Sequence, residues 1–380
     1  MRNELSAMLK PLSKHRSSIL MALGLAAFIL YLGVFIRFDS LLELLSSLNL
    51  GQYALYYSIA IAALVLGVFF DSLIWYYLLE GLQVKMKLAK VFLYNWIGNF
   101  VEMVIPCETV CGEVTRIYLA QKDTGSKVGA SAAPVISSRI LSTIVYTGGL
   151  FVASIILVTT QKLPIYLLGT LLLVAIGTLG MIGAIFYLAL KEGAAEKLVT
   201  FVIRLVKIIT KNQTKLEQRK ERLQQSLYSF TEAFQTYKKS PKLLIKPAVF
   251  AVIAWLFTLL IYLMVFYSLN FTSISIVDLA VVYCVSSTVE TLTSGFPVGA
   301  VEITMINLYS ALNVPLVIAG AATTLIRLLT FWVQVLVGYP ILQVTGLRHV
   351  LKSSFSMKTL PGNQETAPIK PKKQPRKARH

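Results

Sequence analysis

Seven charged side chains sit in sequence that is otherwise apolar: Glu102, Glu113, Arg116, Arg139, Glu290, Glu302 and Arg327. Carboxylates and guanidiniums gathered away from water can neutralise one another. They can also hold a polar ligand through charge-assisted hydrogen bonds. Their spacing is that of a repeat: Glu102 precedes Arg139 by 37 residues, and Glu290 precedes Arg327 by the same 37. Val101-Glu102 matches Val289-Glu290, and small residues run before each arginine, as GASAAP and AGAATT. Glu113 and Glu302 align once a one-residue gap is allowed. Paired carboxylates are also suited to acid–base work on a bound substrate. No metal site is expected, because His15, His349 and His380 lie outside the apolar runs and Cys107, Cys111 and Cys284 complete no ligand set. The cysteines read as small, soft core residues.

The elements that must position these charges are helices in a membrane. The chain has 380 residues, 56% hydrophobic and only 14% charged, against about a quarter charged in a soluble domain. Apolar runs of roughly 20 residues place it in the polytopic class. Spans are expected near residues 18–36, 53–79, 128–160, 164–190, 247–269 and 316–344. With the amino terminus inside, only Arg37 and Lys162 fall outside, and Arg139 and Arg327 fall within the membrane. Every other Lys and Arg is then cytoplasmic, the bias that orients helices during insertion. The net charge of +18 is therefore a matter of topology, and nucleic acid is not an expected partner. The fold expected is all-α: about six spanning helices, both termini cytoplasmic, in the plasma membrane.

The stretch GNFVEMVIPCETVCGEVTRIYL, from Gly98 to Leu119, is too short to cross. A helix from Val91 to Pro106 extends roughly 24 Å, against a hydrocarbon core of roughly 30 Å. Both its flanks belong inside, so it is expected to enter and turn back, with Pro106 and Gly112 at the turn. The later stretch STVETLTSGFPVGAVEITMINLY repeats this from the outer side, with Pro297 and Gly299 at its turn. Irregular backbone at that depth is tolerated where it lines a wet cavity. Two copies in opposite orientation, about 53–160 and 247–345, make an inverted repeat whose site lies near the midplane. Glu102, Glu113, Arg116 and Arg139 are expected to bind substrate from the inner side, and Glu290, Glu302 and Arg327 from the outer. Asp71 and Trp75 are weaker candidates.

Outside the membrane domain (18–346), residues 1–17 are cytoplasmic. Within it, the loop 191–246 carries Leu198, Phe201, Val202, Leu205, Ile208 and Ile209 at helical spacing, with Lys197, Arg204, Lys207 and Lys211 on the other face. This is the pattern of a basic amphipathic helix held by anionic inner-leaflet headgroups. The tail 347–380 is basic, proline-broken and expected to be disordered near the same surface.

At the charged hairpins the chain resembles the flippase-like membrane domain of lysylphosphatidylglycerol synthetases of the multiple peptide resistance factor type. That family has a proline followed by Gly-Gly-Glu-x-x-Arg, and a later Gly-x-Pro-Gly-Gly stretch with a following Glu. Here the first reads Pro106, then Cys111-Gly112-Glu113-Val114-Thr115-Arg116, and the second Gly295-Phe296-Pro297-Val298-Gly299-Ala300-Val301-Glu302. Cys111, Val298 and Ala300 stand where glycines are usual. The likeness covers most of Met21 to Gln343. It implies movement between leaflets of a lipid with a polar headgroup, an aminoacyl-phospholipid or a polyprenyl-phosphate-linked sugar. It does not carry over the synthase activity, which belongs to a separate soluble domain, so the protein is not expected to be an enzyme. No cofactor is implied, and no Gly-x-x-x-x-Gly-Lys-Ser/Thr motif is present. The alternatives are a membrane-embedded transferase acting on a lipid-linked substrate and a non-transporting scaffold. Membrane lipids are the expected partners, and a homo-oligomer stays open.

Overall fold

The computed structural model describes residues 48–104, 110–160, 239–292 and 299–345, with isolated positions at 44, 46, 169, 176, 177, 180, 183 and 235–237. All the regular elements among these residues are helical. They are α1 (Leu50–Gly81), α2 (Leu88–Val104), α3 (Val110–Thr124), α4 (Val128–Thr160), α5 (Lys242–Ser268), α6 (Ile276–Leu292), α7 (Ala300–Ala311), α8 (Leu316–Arg327) and α9 (Gln334–Val344). A π-helical turn, Leu328–Val333, joins α8 to α9. The order long, short, short, long thus occurs twice, and α2 and α6 have the same length of 17 residues.

Four of these segments are long and apolar enough to cross a membrane: Leu50–Gly81, Val128–Leu157, Lys242–Ser268 and Leu316–Val344. They correspond to the second, third, fifth and sixth spans expected from sequence. The first and most of the fourth lie outside the described residues, as do nearly all of the 191–246 loop and the whole of the 347–380 tail. Large apolar side chains remain exposed along the outer faces, among them Leu55, Phe151, Ile155, Val249, Leu256 and Leu336. Lipid accepts such a surface; a soluble monomer rarely carries one so extensive.

Local chemistry sets the helix ends. Asn49 caps α1 by accepting hydrogen bonds from Gly51 N and Gln52 N at 3.0 and 3.3 Å. Ser275 and Asp278 form a reciprocal box at the start of α6. Asp278 Oδ2 accepts from Ser275 N at 3.1 Å, and Ser275 Oγ accepts from Asp278 N at 3.1 Å. Gly299 takes the cap position of α7 with φ of +98°, a left-handed backbone that costs glycine little. Its N–H donates to Glu302 Oε2 at 2.6 Å.

Helix α1 packs along α5, where Phe70 stacks on Phe257 at 5.4 Å and Tyr77 on Phe250 at 5.4 Å. The start of α5 is held below this seam. Lys246 Nζ lies 5.3 Å from the centre of the Tyr77 ring, and Tyr237 donates to the Leu78 carbonyl at 2.6 Å. Helix α5 begins at Lys242, with Pro241 at its cap position, and runs through Pro247. A proline inside a membrane helix is tolerated when neighbouring helices support the freed backbone.

Gly112 corrects an expectation. It lies in the first turn of α3 and not at the turn between α2 and α3. A Cβ there would stand 2.7 Å from the Gly98 carbonyl oxygen and 2.9 Å from Glu102. The glycine is needed for close helix approach, not for a left-handed backbone. Pro106 and Pro297 lie outside the described residues. Cys284 is buried and free, while Cys111 is disulfide-bonded, so packing alone accounts only for Cys284.

Candidate functional site

Each half assembles one charge cluster around its arginine. In the first half Glu102 sits near the end of α2, Glu113 and Arg116 near the start of α3, and Arg139 on α4. Arg139 Nη1 lies 3.9 Å from Glu102 Oε1, and its Nε lies 3.7 Å from Glu113 Oε1. Arg116 Nη2 is 3.9 Å from Glu102 Oε2 and donates a short hydrogen bond to Asn99 Oδ1. In the second half Arg327, the last residue of α8, donates from Nε to Glu302 Oε1 and from Nη1 to Glu290 Oε1, both at 2.8 Å. Its guanidinium also lies 4.9 Å from the centre of the Phe331 ring, on the π-helical turn.

The two clusters differ in tightness. The Arg327 side chain is 4% exposed and that of Glu302 2%, so this pair is buried and directly hydrogen-bonded. The Arg139 side chain is 46% exposed, and its carboxylate approaches exceed hydrogen-bond length. Arg327 is locked in place, and Arg139 keeps its donors available.

Both clusters open onto one cavity of about 330 Å³, within the size range of ligand sites. Glu102, Arg116 and Arg139 line it from one half, Glu290 and Arg327 from the other. Glu113 and Glu302 are not in its wall; each touches the arginine of its own half. Asp71 and Trp75 of α1 also line the cavity. Asp71 Oδ2 accepts from Asn95 Nδ2 at 2.9 Å, and Asn95 Nδ2 also reaches Ser72 Oγ at 3.0 Å.

Sequence reasoning passed over the amides that tie the halves together. Asn99 donates from Nδ2 to Gln334 Oε1 at 3.1 Å, and Gln334 in turn donates to the Thr330 carbonyl at 2.9 Å. Arg116 is thereby connected through Asn99 to the helix that follows Arg327. Tyr146 of α4 and Thr288 of α6 make a second bridge, with their hydroxyls 2.5 Å apart. A signal for the amides was present: Asn95, Asn99 and Glu102 recur at i, i+4 and i+7, a polar stripe along one face of a short apolar helix. At the far end of the α2–α3 pair, Lys90 Nζ lies 2.5 Å from Asp123 Oδ1. That hydrogen bond raises the Lys90 ammonium above its ordinary pKa.

The chain is similar in sequence to known membrane proteins. The family described as "Lysylphosphatidylglycerol synthase TM region" matches residues 19–338. A UPF0104 membrane protein of Methanocaldococcus jannaschii is 26% identical over 333 residues, covering 85% of this chain and 93% of the relative. A UPF0104 membrane protein of Methanothermobacter thermautotrophicus is 23% identical over 326 residues, covering 84% and 92%. One from Pyrococcus horikoshii is 23% identical over 292 residues, covering 74% and 84%.

Proposed function

The chain belongs to the lysylphosphatidylglycerol synthase transmembrane-region family, and we propose that it is a lipid transporter moving a polar-headgroup lipid between leaflets of the plasma membrane. One observation carries this reading: a charged cavity at the meeting of two similarly ordered halves, with ionisable side chains contributed by both. Ionisable groups at membrane depth are costly and mark substrate or ion pathways. On this reading α2–α3 and α6–α7 are re-entrant hairpins of opposite orientation, and two further spans bring the total to six with both termini cytoplasmic. Arg139 and Arg116 hold the headgroup on the inner side, Arg327 and its glutamates face it from the outer side, and the tails stay in the bilayer. The basic 191–246 loop and the 347–380 tail rest on anionic inner-leaflet headgroups. The cargo class is an aminoacyl-phospholipid or a polyprenyl-phosphate-linked sugar. Motion follows the membrane potential, an ion gradient or mass action.

Mass spectrometry of lipids co-purifying with the wild type and with Arg139→Ala tests this. A specific polar lipid retained by the wild type and lost from the variant is expected. Bulk lipid unchanged between the two would make the arginine structural and favour a scaffold.

A further inference from the structure

The two halves match in sequence and differ in shape. The register that pairs Glu102 with Glu290 and Arg139 with Arg327 also pairs Tyr146 with Gln334, each seven residues after its arginine. Each of these side chains crosses to the other half, Tyr146 to Thr288 on α6 and Gln334 to Asn99 on α2. The backbone between arginine and bridge is not matched. Residues 140–145 are α-helical, whereas residues 328–333 form the π-helical turn. Neither stretch contains a proline or glycine that would force the difference. The π-helical turn belongs with the tight cluster: its Phe331 ring lies against the Arg327 guanidinium, and Gln334 Nε2 closes it on the Thr330 carbonyl. Thr143 stands at the place of Phe331, and its hydroxyl donates back to the Arg139 carbonyl at 2.7 Å.

One pattern thus takes two conformations in one molecule: an α-helix beside an open arginine, and a π-helical turn beside a locked one. A π-helical turn keeps its backbone hydrogen bonds and only lengthens their reach by one residue. Passing between the forms therefore strands no backbone polar group in the membrane. Relaxing 328–333 to an α-helix moves α9 by one residue, about 1.5 Å along its axis and about 100° around it. Helix α9 carries no charged side chain, so such a turn drives no charge into lipid. We propose that the two halves exchange these conformations. In the second state Glu102 and Glu113 lock Arg139 beside a π-helical turn at 140–145, and Arg327 is open beside an α-helix. Movement of one repeat against the other exposes a midplane site to each side of the membrane in turn. That the exchange carries a lipid rests on the transporter reading above; the exchange itself does not.

The test is the reactivity of the two arginines toward phenylglyoxal, read by peptide mass spectrometry on the full chain in nanodiscs. In the wild type Arg139 is expected to react at least about tenfold faster than Arg327, the difference between an open and a buried ion pair. Deleting Leu328, an outward-facing residue of the turn, removes the residue that the π-helical form accommodates. The order should invert, with Arg327 fast and Arg139 slow. Inserting one alanine after the exposed Ile144 gives the first half an extra residue and should produce the same inversion from the other side. A change confined to the altered half, in either variant, overturns the proposal. Hydrogen exchange of the wild type decides the case if a variant fails to fold: segments 140–145 and 328–333 should open at one common rate, and unequal rates overturn the exchange. Inverted reactivity with no lipid movement in vesicles counts against the transporter reading and leaves the exchange standing. Lipid movement with an unchanged arginine order in both variants does the reverse.

Discussion

Replacing Arg327 by Gln removes the charge that two carboxylates face. Glu302 is then left in a dry site, its side chain only 2% exposed, with the Gly299 N–H as its remaining donor. Breaking a buried ion pair by removing one partner costs about 3–5 kcal/mol. Glu290 adds little, since its side chain is 37% exposed and water screens it. Arg139→Gln removes contacts of 3.7 and 3.9 Å from a side chain that is 46% exposed, a loss of about 0–1 kcal/mol. The two variants should therefore differ by at least about 2 kcal/mol, although both delete one arginine from matching positions of the repeat. Reversible unfolding in mixed micelles at increasing dodecyl sulfate fraction, followed by tryptophan fluorescence, measures this. The double variant Arg327→Gln/Glu302→Gln should recover part of the loss, because a neutral amide pair avoids the stranded charge. Equal losses in the two single variants, or a larger loss for Arg139→Gln, would refute the locked-and-open description of the two clusters.

Gly112→Ala places a Cβ against the Gly98 carbonyl and should cost about 1–3 kcal/mol in the same unfolding assay, while Gly148→Ala, with open space around it, should be near neutral. Ser275→Ala removes the cap of α6 and should cost about 1 kcal/mol; backbone hydrogen exchange should quicken at Asp278 and the residues next to it. Asn99→Leu cuts the link between Arg116 and Gln334 and should lower stability by about 1–3 kcal/mol; in a double-mutant cycle with Gln334→Leu the two losses should be less than additive.

The long helices were legible because a run of apolar residues is a physical requirement for crossing lipid. Val128–Thr160 has the same limits in sequence and structure. The 37-residue spacing identified the charge pairs, and both arginines do meet the two glutamates of their own half. Gly112 was misread because glycine serves both turns and close packing, and only the neighbouring helix decides between them. Helix α5 starts before Pro247, directly after Pro241, because its first turns carry Lys242 and Lys246 and so lack the apolar character that marks a span in sequence. The unequal tightness of Arg139 and Arg327 has no counterpart in their similar local sequences. It comes from burial, which is a property of the assembled helices.

The most direct test of the central claim uses vesicles carrying the purified protein and a fluorescent polar-headgroup lipid in both leaflets. An impermeant quencher added outside removes the outer signal at once. The account predicts that the inner half then decays at a protein-dependent rate, slowed at least tenfold by Arg139→Ala. Decay no faster than in protein-free vesicles, or an unchanged rate in the variant, would contradict it.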